Sequence, residues 1–412
     1  MRKIVVLGGC GVVGRHVVKT LVQSKEVDRI IIADINLDLA KQMTLGLGDK
    51  VSAIKVDAHD SESIRNAIQG AHVVVNTIGP YYEFEKKILE TVIDEEMNYV
   101  DVCDDTGATY DALSLHEKAK QKGVSALIGM GSSPGVTNIL AAFAATTKNI
   151  LAECEAIDLY HIHGGEPVEG AGVIAHRFYC MQQDVPMFLD GKMLNLSQKE
   201  SDNFIEEVEF INLEGKHRVY PYPHPEPITI PKWIPGIKRV TNKGTVLPEE
   251  YYNLTRTVFN SGFASKDPVV VKGVPVIPHD FATQFLIKRR DEILKELHFG
   301  EQRGCVKIVV SGKNERGLDR KYIFSLVSEG VGKGQAMGEG TGIPCAFGAL
   351  LMLQGKLRGG PGVFPPEACV NAMEFLALMR KTLKVDGKQK SKKSPLIIQK
   401  VDEKGAVEFI DI

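Results

Sequence analysis

No apolar run in this 412-residue sequence approaches the roughly 18 to 20 residues that a membrane span needs. The apolar N-terminus is short, broken by glycine and strand-like, so neither a signal peptide nor a membrane partner is expected. Cysteine is sparse. Its seven residues, an odd number, are dispersed from Cys10 to Cys369 without a C-x-x-C pair. That pattern argues against a disulfide frame or a zinc knuckle and for a reducing, cytoplasmic compartment. A charge excess is missing as well: 50 basic residues stand against 52 acidic ones, so no net field recommends nucleic acid as a partner. Low-complexity blocks and internal repeats are absent. What remains is 43% hydrophobic and 25% charged, a chain long enough for two or more buried cores and fitted to act on a small solute.

Strand-like and amphipathic helical segments alternate over residues 1–130. Strands are expected at 3–8, 29–33, 51–56, 71–76, 99–102 and 124–128, and helices at 12–23, 61–69, 84–95 and 110–122, with Asp60 capping the second. This alternation predicts an α/β domain with a doubly wound parallel sheet. Longer β-rich runs separated by proline and glycine then predict a second, mixed α+β domain over 131–340. Within it the proline-rich stretch 220–236 reads as an ordered loop, because proline resists both helix and central strand. Helices are expected at 342–354, with Pro344 in the first turn, and at 366–381, inside a C-terminal segment 341–382. A tail over 383–412 holds a solvated lysine-rich link and a short β-hairpin.

The clearest motif is Val5-Val6-Leu7-Gly8-Gly9-Cys10-Gly11-Val12-Val13-Gly14, in which Gly9, Gly11 and Gly14 fit G-x-G-x-x-G between a strand and a helix. Gly9 permits the sharp turn, Gly11 admits a pyrophosphate to the backbone, and Gly14 lets helix and sheet approach. The helix start at Val12 and Val13 then offers free N–H donors to phosphate. This is the Rossmann fingerprint of a dinucleotide site. Asp34, 20 residues after Gly14 at the end of the second strand, is placed to accept from both ribose hydroxyls, which favours NAD and leaves NADP possible. Asp57 follows the third strand within reach of an adenine amino group. Asn76, Gly79 and Pro80 follow the fourth strand, beside the nicotinamide half. A plainer role as turn and cap residues is open to Asp34 and Asp57.

Several stretches resemble the saccharopine dehydrogenase-like family, which includes saccharopine reductases, lysine 6-dehydrogenases and carboxynorspermidine dehydrogenases. They are Gly9 to Gly14, Asn76 to Pro80, Tyr99-Val100-Asp101-Val102, Gly131-Ser132-Ser133-Pro134-Gly135-Val136-Thr137-Asn138, Gly340-Thr341-Gly342-Ile343-Pro344 and Pro365-Pro366-Glu367. The resemblance implies a link between domains at the G-x-x-P-G turn, an active cleft between them, C-terminal helices that return to the Rossmann domain, and a homodimer formed through the second domain. It also implies an NAD(P)-dependent enzyme acting on the CH–NH bond of an amino acid or imine adduct. One departure stands out: Ser133 occupies the place where saccharopine reductases typically carry aspartate.

Imine reduction asks the protein for close positioning, an ion pair to a substrate carboxylate, and a proton donor near nitrogen. Arg177 suits the ion pair. His224, held beside Glu226 on the proline-rich stretch, suits proton exchange near neutral pH. Tyr82 and its neighbour Tyr81 follow Gly79-Pro80, and Asp105 belongs to an acidic cluster with Asp101 and Asp104. Each also has a structural role open to it, in an internal ion pair, a loop or a helix cap. His161 and His163 alternate along a strand without a third ligand, so no metal is expected. A second reading is a dinucleotide-binding redox sensor that acts through its second domain without turnover.

Overall fold

The computed structural model describes residues 1–147, 150–166, 169–329, 336–385 and 396–410. The chain divides into two compact units. The first comprises Met1–Ala152, His224–Pro235 and Met337–Lys393, and the second comprises Glu153–Pro223, Gly236–Ala336 and Ser394–Ile412.

The first unit opens with β1 (Lys3–Leu7), α1 (Val12–Gln23), β2 (Arg29–Asp34), α2 (Leu37–Thr44), β3 (Val51–Lys55), α3 (Ser61–Ile68) and β4 (Val73–Asn76). There follow α4 (Tyr81–Asp94), β5 (Asn98–Asp101), α5 (Thr106–Ser114), α6 (His116–Gln121), β6 (Ser125–Leu127) and α7 (Val136–Thr146). The central strands β1 and β4 are continuous β-branched runs buried on both faces, as a parallel sheet covered by helices requires. The sheet order is β3-β2-β1-β4-β5-β6, the doubly wound order with its switch point between β1 and β4. A seventh parallel strand, Gly362–Phe364, adds beside β6, with Val363 opposite Ala126. At three residues it is too short for periodicity to reveal.

Several elements depart from the expectation. Helix α2 starts where Asn36 caps the Leu39 N–H, a local bond that periodicity does not register. The segment expected at 110–122 is two helices, α5 and α6, that meet at Leu115. The helix expected from 342 begins at Ala336, so Pro344 lies inside it rather than in its first turn. Glycine lowers the helical propensity of this stretch, but packing overrides it. A Cβ on Gly342 would stand 2.7 Å from the Val13 carbonyl, and one on Gly348 would stand 2.7 Å from Met130 Cγ. The C-terminal helices therefore pack back on the Rossmann sheet, as the fold class anticipates.

The proline-rich stretch is not a plain loop. It holds a short helix, Glu226–Thr229, with Pro227 in the first turn where the missing N–H costs nothing, then a 3₁₀ turn at Ile230–Lys232. Both group with the first unit, as does α7, so the chain crosses between units more often than a boundary at 130/131 implies.

The second unit is a mixed sheet. Its main path runs Glu206–Glu209, Lys216–Pro221, Arg239–Leu247, Glu153–Gly164, Arg303–Lys313, Asp319–Glu329, Leu396–Val401 and Val407–Ile410. A hairpin of Val185–Leu189 and Lys192–Leu196 joins through Val240 opposite Phe188. The C-terminal hairpin is thus part of the sheet, with Ile398 opposite Phe324. The helices Ala171–Gln182, Glu249–Val258 and Pro278–Glu296 pack through Ile174, Phe178, Tyr251 and Leu286. Lys388, Lys390, Lys392 and Lys393 lie outside the described residues.

Candidate active site

β1 runs straight into the glycine turn. The Gly8 N–H donates to the Ala33 carbonyl at 2.8 Å, and Gly8 takes a positive φ of 73° that a side chain rarely adopts. A Cβ on Gly9 would stand 2.9 Å from Ile32 Cγ2, and one on Gly14 would stand 2.3 Å from the Gly8 carbonyl. These two positions are closed by the protein itself. Gly11 differs: its Cβ would meet only the Gly8 carbonyl, at 3.2 Å, and otherwise faces open space. Gly11 is also the N-cap of α1, which has no side-chain cap and no acidic residue in its first turn. Among the described residues nothing caps the leading N–H groups at Val12 and Val13, and Val12 is 60% exposed. Open backbone, unclaimed donors and a positive helix end fit a dinucleotide diphosphate.

Asp34 ends β2 beside this turn. Its Oδ2 accepts the Cys10 N–H at 3.0 Å and its Oδ1 accepts the Asn36 N–H at 3.0 Å, so the carboxylate is fixed against the glycine turn. Asp57 accepts the His59 N–H through Oδ1 at 2.9 Å, a local turn after β3. Asn76 is fully buried: its Oδ1 accepts the Ile78 N–H at 2.9 Å, while its Nδ2 donates to Glu85 and to the Tyr99 oxygen. What Asn76 presents outward is the shaped turn through Gly79 and Pro80, from which α4 starts with Tyr81 half-buried and Tyr82 exposed. Asp105 is buried and caps α5, accepting the Ala108 N–H at 2.8 Å.

A second polar centre surrounds the G-S-S-P-G turn. Glu226, fully buried, lies 2.7 Å from His224 Nδ1 through Oε2, and its Oε1 accepts from the Ser133 hydroxyl at 2.5 Å and the Thr137 hydroxyl at 3.0 Å. Burial alone would raise the Glu226 carboxyl; His224 and the hydroxyl donors outweigh it and hold the group at about 2. Asn138 extends the chain of contacts, with Oδ1 accepting the Gly135 N–H at 2.9 Å and Nδ2 donating to Glu367 at 2.8 Å. Burial pushes Glu367 up to about 7, against the pull of the Thr229 hydroxyl and Asn138. Two buried glutamates are thus held in opposite protonation preferences, the arrangement from which acid and base roles are built.

The second unit holds Arg177. Its Nη2 donates to Glu169 at 2.6 Å and its Nη1 to the Tyr251 hydroxyl at 3.5 Å; that hydroxyl donates to Glu169 at 2.5 Å. Arg290 reaches the same carboxylate at 3.5 Å. Arg177 is therefore a buried, internally paired guanidinium. His163 lies 2.7 Å from Glu166, and among the described residues no group of three metal-ligating side chains comes together.

The structure brings Gly9, Gly11, Val12, Val13, Gly14 and Asp34 into one patch. Asn76, Gly79, Pro80, Tyr82, Asp105 and His224 belong to the same unit, whereas Arg177 belongs to the other. Sequence reasoning passed over Glu85, Thr137, Asn138 and Glu367 as polar centres. For Glu85 a signal exists: it shares the apolar face of α4 with Ile88, Leu89 and Val92, where a charge is out of place. Asn138 and Glu367 fall inside recognised motifs but carry no local signal of the bond between them.

Residues 4–127 match the family described as saccharopine dehydrogenase NADP binding domain, and residues 131–387 match the saccharopine dehydrogenase C-terminal domain. The chain belongs to the saccharopine dehydrogenase family. It is 25% identical over 394 residues to carboxyaminopropylagmatine dehydrogenase of Synechocystis, covering 89% of this chain and 92% of that protein. It is 24% identical over 339 residues to carboxynorspermidine synthase of Vibrio alginolyticus, covering 77% and 78%. Its fold is similar to that of saccharopine dehydrogenase (L-Glu forming) from Saccharomyces cerevisiae, with TM-score 0.68, 16% identity and coverage of 93% and 97%. A homospermidine synthase from Legionella pneumophila, solved with NAD, gives TM-score 0.55 at 11% identity, covering 95% of each chain. This member of the family is an NAD(P)-dependent oxidoreductase acting at a CH–NH bond, with the Rossmann unit as its coenzyme domain.

Proposed function

We propose that this saccharopine dehydrogenase-family protein transfers hydride between NAD and the secondary amine that joins a carboxylated carbon chain to a second amine, the carboxyalkyl-amine class that the curated relatives act on by name. The observation that carries the reading is Glu226, a buried carboxylate held ionised beside His224 at the turn where Ser133 stands in place of aspartate. Bound at the glycine turn, the coenzyme supplies or accepts the hydride. In the reducing direction the imine carbon gains that hydride and its nitrogen gains a proton; in the oxidising direction the amine loses both. Glu226 fixes the orientation of His224, and His224 carries the proton to or from nitrogen.

Asp34 sets coenzyme choice. A fixed carboxylate accepts from ribose hydroxyls and repels a 2′-phosphate, so NAD is preferred. Coupled assays of the purified chain with amine and semialdehyde pairs, read as NADH or NADPH oxidation, are expected to favour NADH. Glu226→Gln is expected to lower kcat by about 100-fold or more with coenzyme affinity retained. Tight coenzyme binding with no turnover on any carboxyalkyl amine would instead favour the redox-sensor reading.

We also infer a homodimer. In the second unit the ribbon Val269–Val271 and Val274–Val276 pairs only with itself among the described residues and exposes Val269, Val270, Val271 and Val274. Phe281 and Phe285, both exposed, stack at 6.3 Å on the neighbouring helix. Exposed valines on a two-stranded ribbon favour association, and a ribbon whose only charge is Lys272 suits a second copy of itself. Seven cysteines, all unpaired and buried, support a cytoplasmic site.

A further inference from the structure

The first unit buries another polar cluster that hydride transfer does not use. Glu85 of α4 and Asp101 at the end of β5 are both 0% exposed. The Tyr99 hydroxyl contacts the Glu85 oxygens at 3.0 and 2.8 Å, and Asn76 Nδ2 donates to Glu85 Oε2 at 3.2 Å and to the Tyr99 oxygen at 2.9 Å. Asp101 Oδ1 accepts the N–H groups of Cys103 at 2.9 Å and Gly129 at 2.6 Å. Asp101 Oδ2 is equally buried and has no hydrogen-bond partner among the described residues, and Glu85 and Tyr99 are the side chains that bear on this carboxyl.

Two ionised carboxylates are acceptors only, so Glu85 can satisfy the buried Asp101 Oδ2 only by carrying a proton. Among the described residues Tyr81, Tyr99, Cys103 and Cys345 are the other titratable groups that bear on the pair, and none of them is a cation. Two bare anions side by side in this interior would be too costly. With one proton the donors and acceptors close: Glu85 donates to Asp101 Oδ2, and the Asp101 anion keeps its two backbone N–H groups.

The pair also joins three strand ends. Through Asn76 it holds the turn after β4, where the Ile78 N–H is fixed, and through Asp101 it holds the Cys103 N–H after β5 and the Gly129 N–H after β6. These are the carboxyl ends of the sheet, the edge on which a doubly wound fold binds its ligand.

We propose that Glu85 and Asp101 share a single proton in the working protein and act as a positioning pair that holds the turns after β4, β5 and β6 in place along the coenzyme edge. The inference concerns coenzyme positioning and does not depend on which amine is the substrate.

Infrared difference spectra of the full-length chain, wild type minus Glu85→Gln at neutral pH, test the proton. A protonated-carboxyl C=O band that shifts in heavy water is expected in the wild type and is lost in the variant. The Gln amide still donates to Asp101 and accepts from Tyr99, so Glu85→Gln is expected to bind NADH within about threefold of wild type. Glu85→Leu strands the Tyr99 and Asn76 donors and is expected to weaken NADH binding, measured by calorimetry, by about tenfold or more. Absence of the band overturns the shared proton, whether or not Glu85→Leu folds. Unchanged NADH affinity in a folded Glu85→Leu protein overturns the positioning role, as does a tenfold loss in Glu85→Gln. Loss of turnover with intact coenzyme binding in either variant counts against the positioning role and leaves the substrate reading to its own assay.

Discussion

Single buried carboxyls set how this protein responds to pH. Glu367 has a folded value of about 7 against an ordinary 4.5, so its protonated form is the one the fold favours. The stability it contributes is full below about 4.5 and is lost as pH rises through about 7, on the order of 3 kcal/mol at most. Glu367→Gln is expected to flatten the fall in Tm between about pH 4.5 and pH 7, as calorimetry at matched ionic strength would show; an unchanged slope would assign the fall elsewhere. Glu226 has the opposite sign. Its value of about 2 lies below 4.5, so its contribution is present above 4.5 and is lost as pH falls through about 2. Glu226→Gln is accordingly expected to reduce acid sensitivity of stability at the same time as it lowers turnover.

At the scale of elements, the junction of β1 with α1 separates two kinds of glycine. A Cβ on Gly11 would meet only the Gly8 carbonyl, at 3.2 Å, so Gly11→Ala is expected to leave Tm within a few degrees of wild type while weakening NADH binding by about tenfold, because the new methyl crowds the incoming phosphate more than it crowds the protein. Gly14 abuts the Gly8 carbonyl, so Gly14→Ala is expected to lower Tm as well, since helix and turn must separate. Denaturation and calorimetric titration of both variants decide this; equal losses of stability would contradict it. The same close approach explains the helix Ala336–Leu353, where Gly338 and Gly342 lie against α1 and Gly348 lies against Met130 and Leu127, so that no side chain fits at these three positions.

For the molecule as a whole, the second unit's valine ribbon is the feature that a solitary chain leaves unexplained. Val270, 70% exposed, sits at its centre, and Val270→Lys places a charge there without touching either core. Light scattering of the purified protein is expected to shift from dimer toward monomer in this variant, with the coenzyme site unaffected. A wild-type protein that already runs as a monomer at micromolar concentration would remove the dimer.

Local chemistry fixed what could be read from the chain alone. The alternation of apolar runs with amphipathic segments forces a parallel sheet covered by helices, and the glycine spacing after β1 forces a phosphate-sized opening, because both follow from backbone geometry over a few residues. Asp34 was legible for the same reason. Tertiary structure decided the rest, since long-range pairing leaves no periodic trace. Only folding brings Glu226 under Ser133 and Thr137, 93 and 89 residues away, sets Asn138 against Glu367, and buries Glu85 opposite Asp101. In each case a residue that reads as an ordinary surface acid gains its chemistry from a desolvated setting that distant segments build around it.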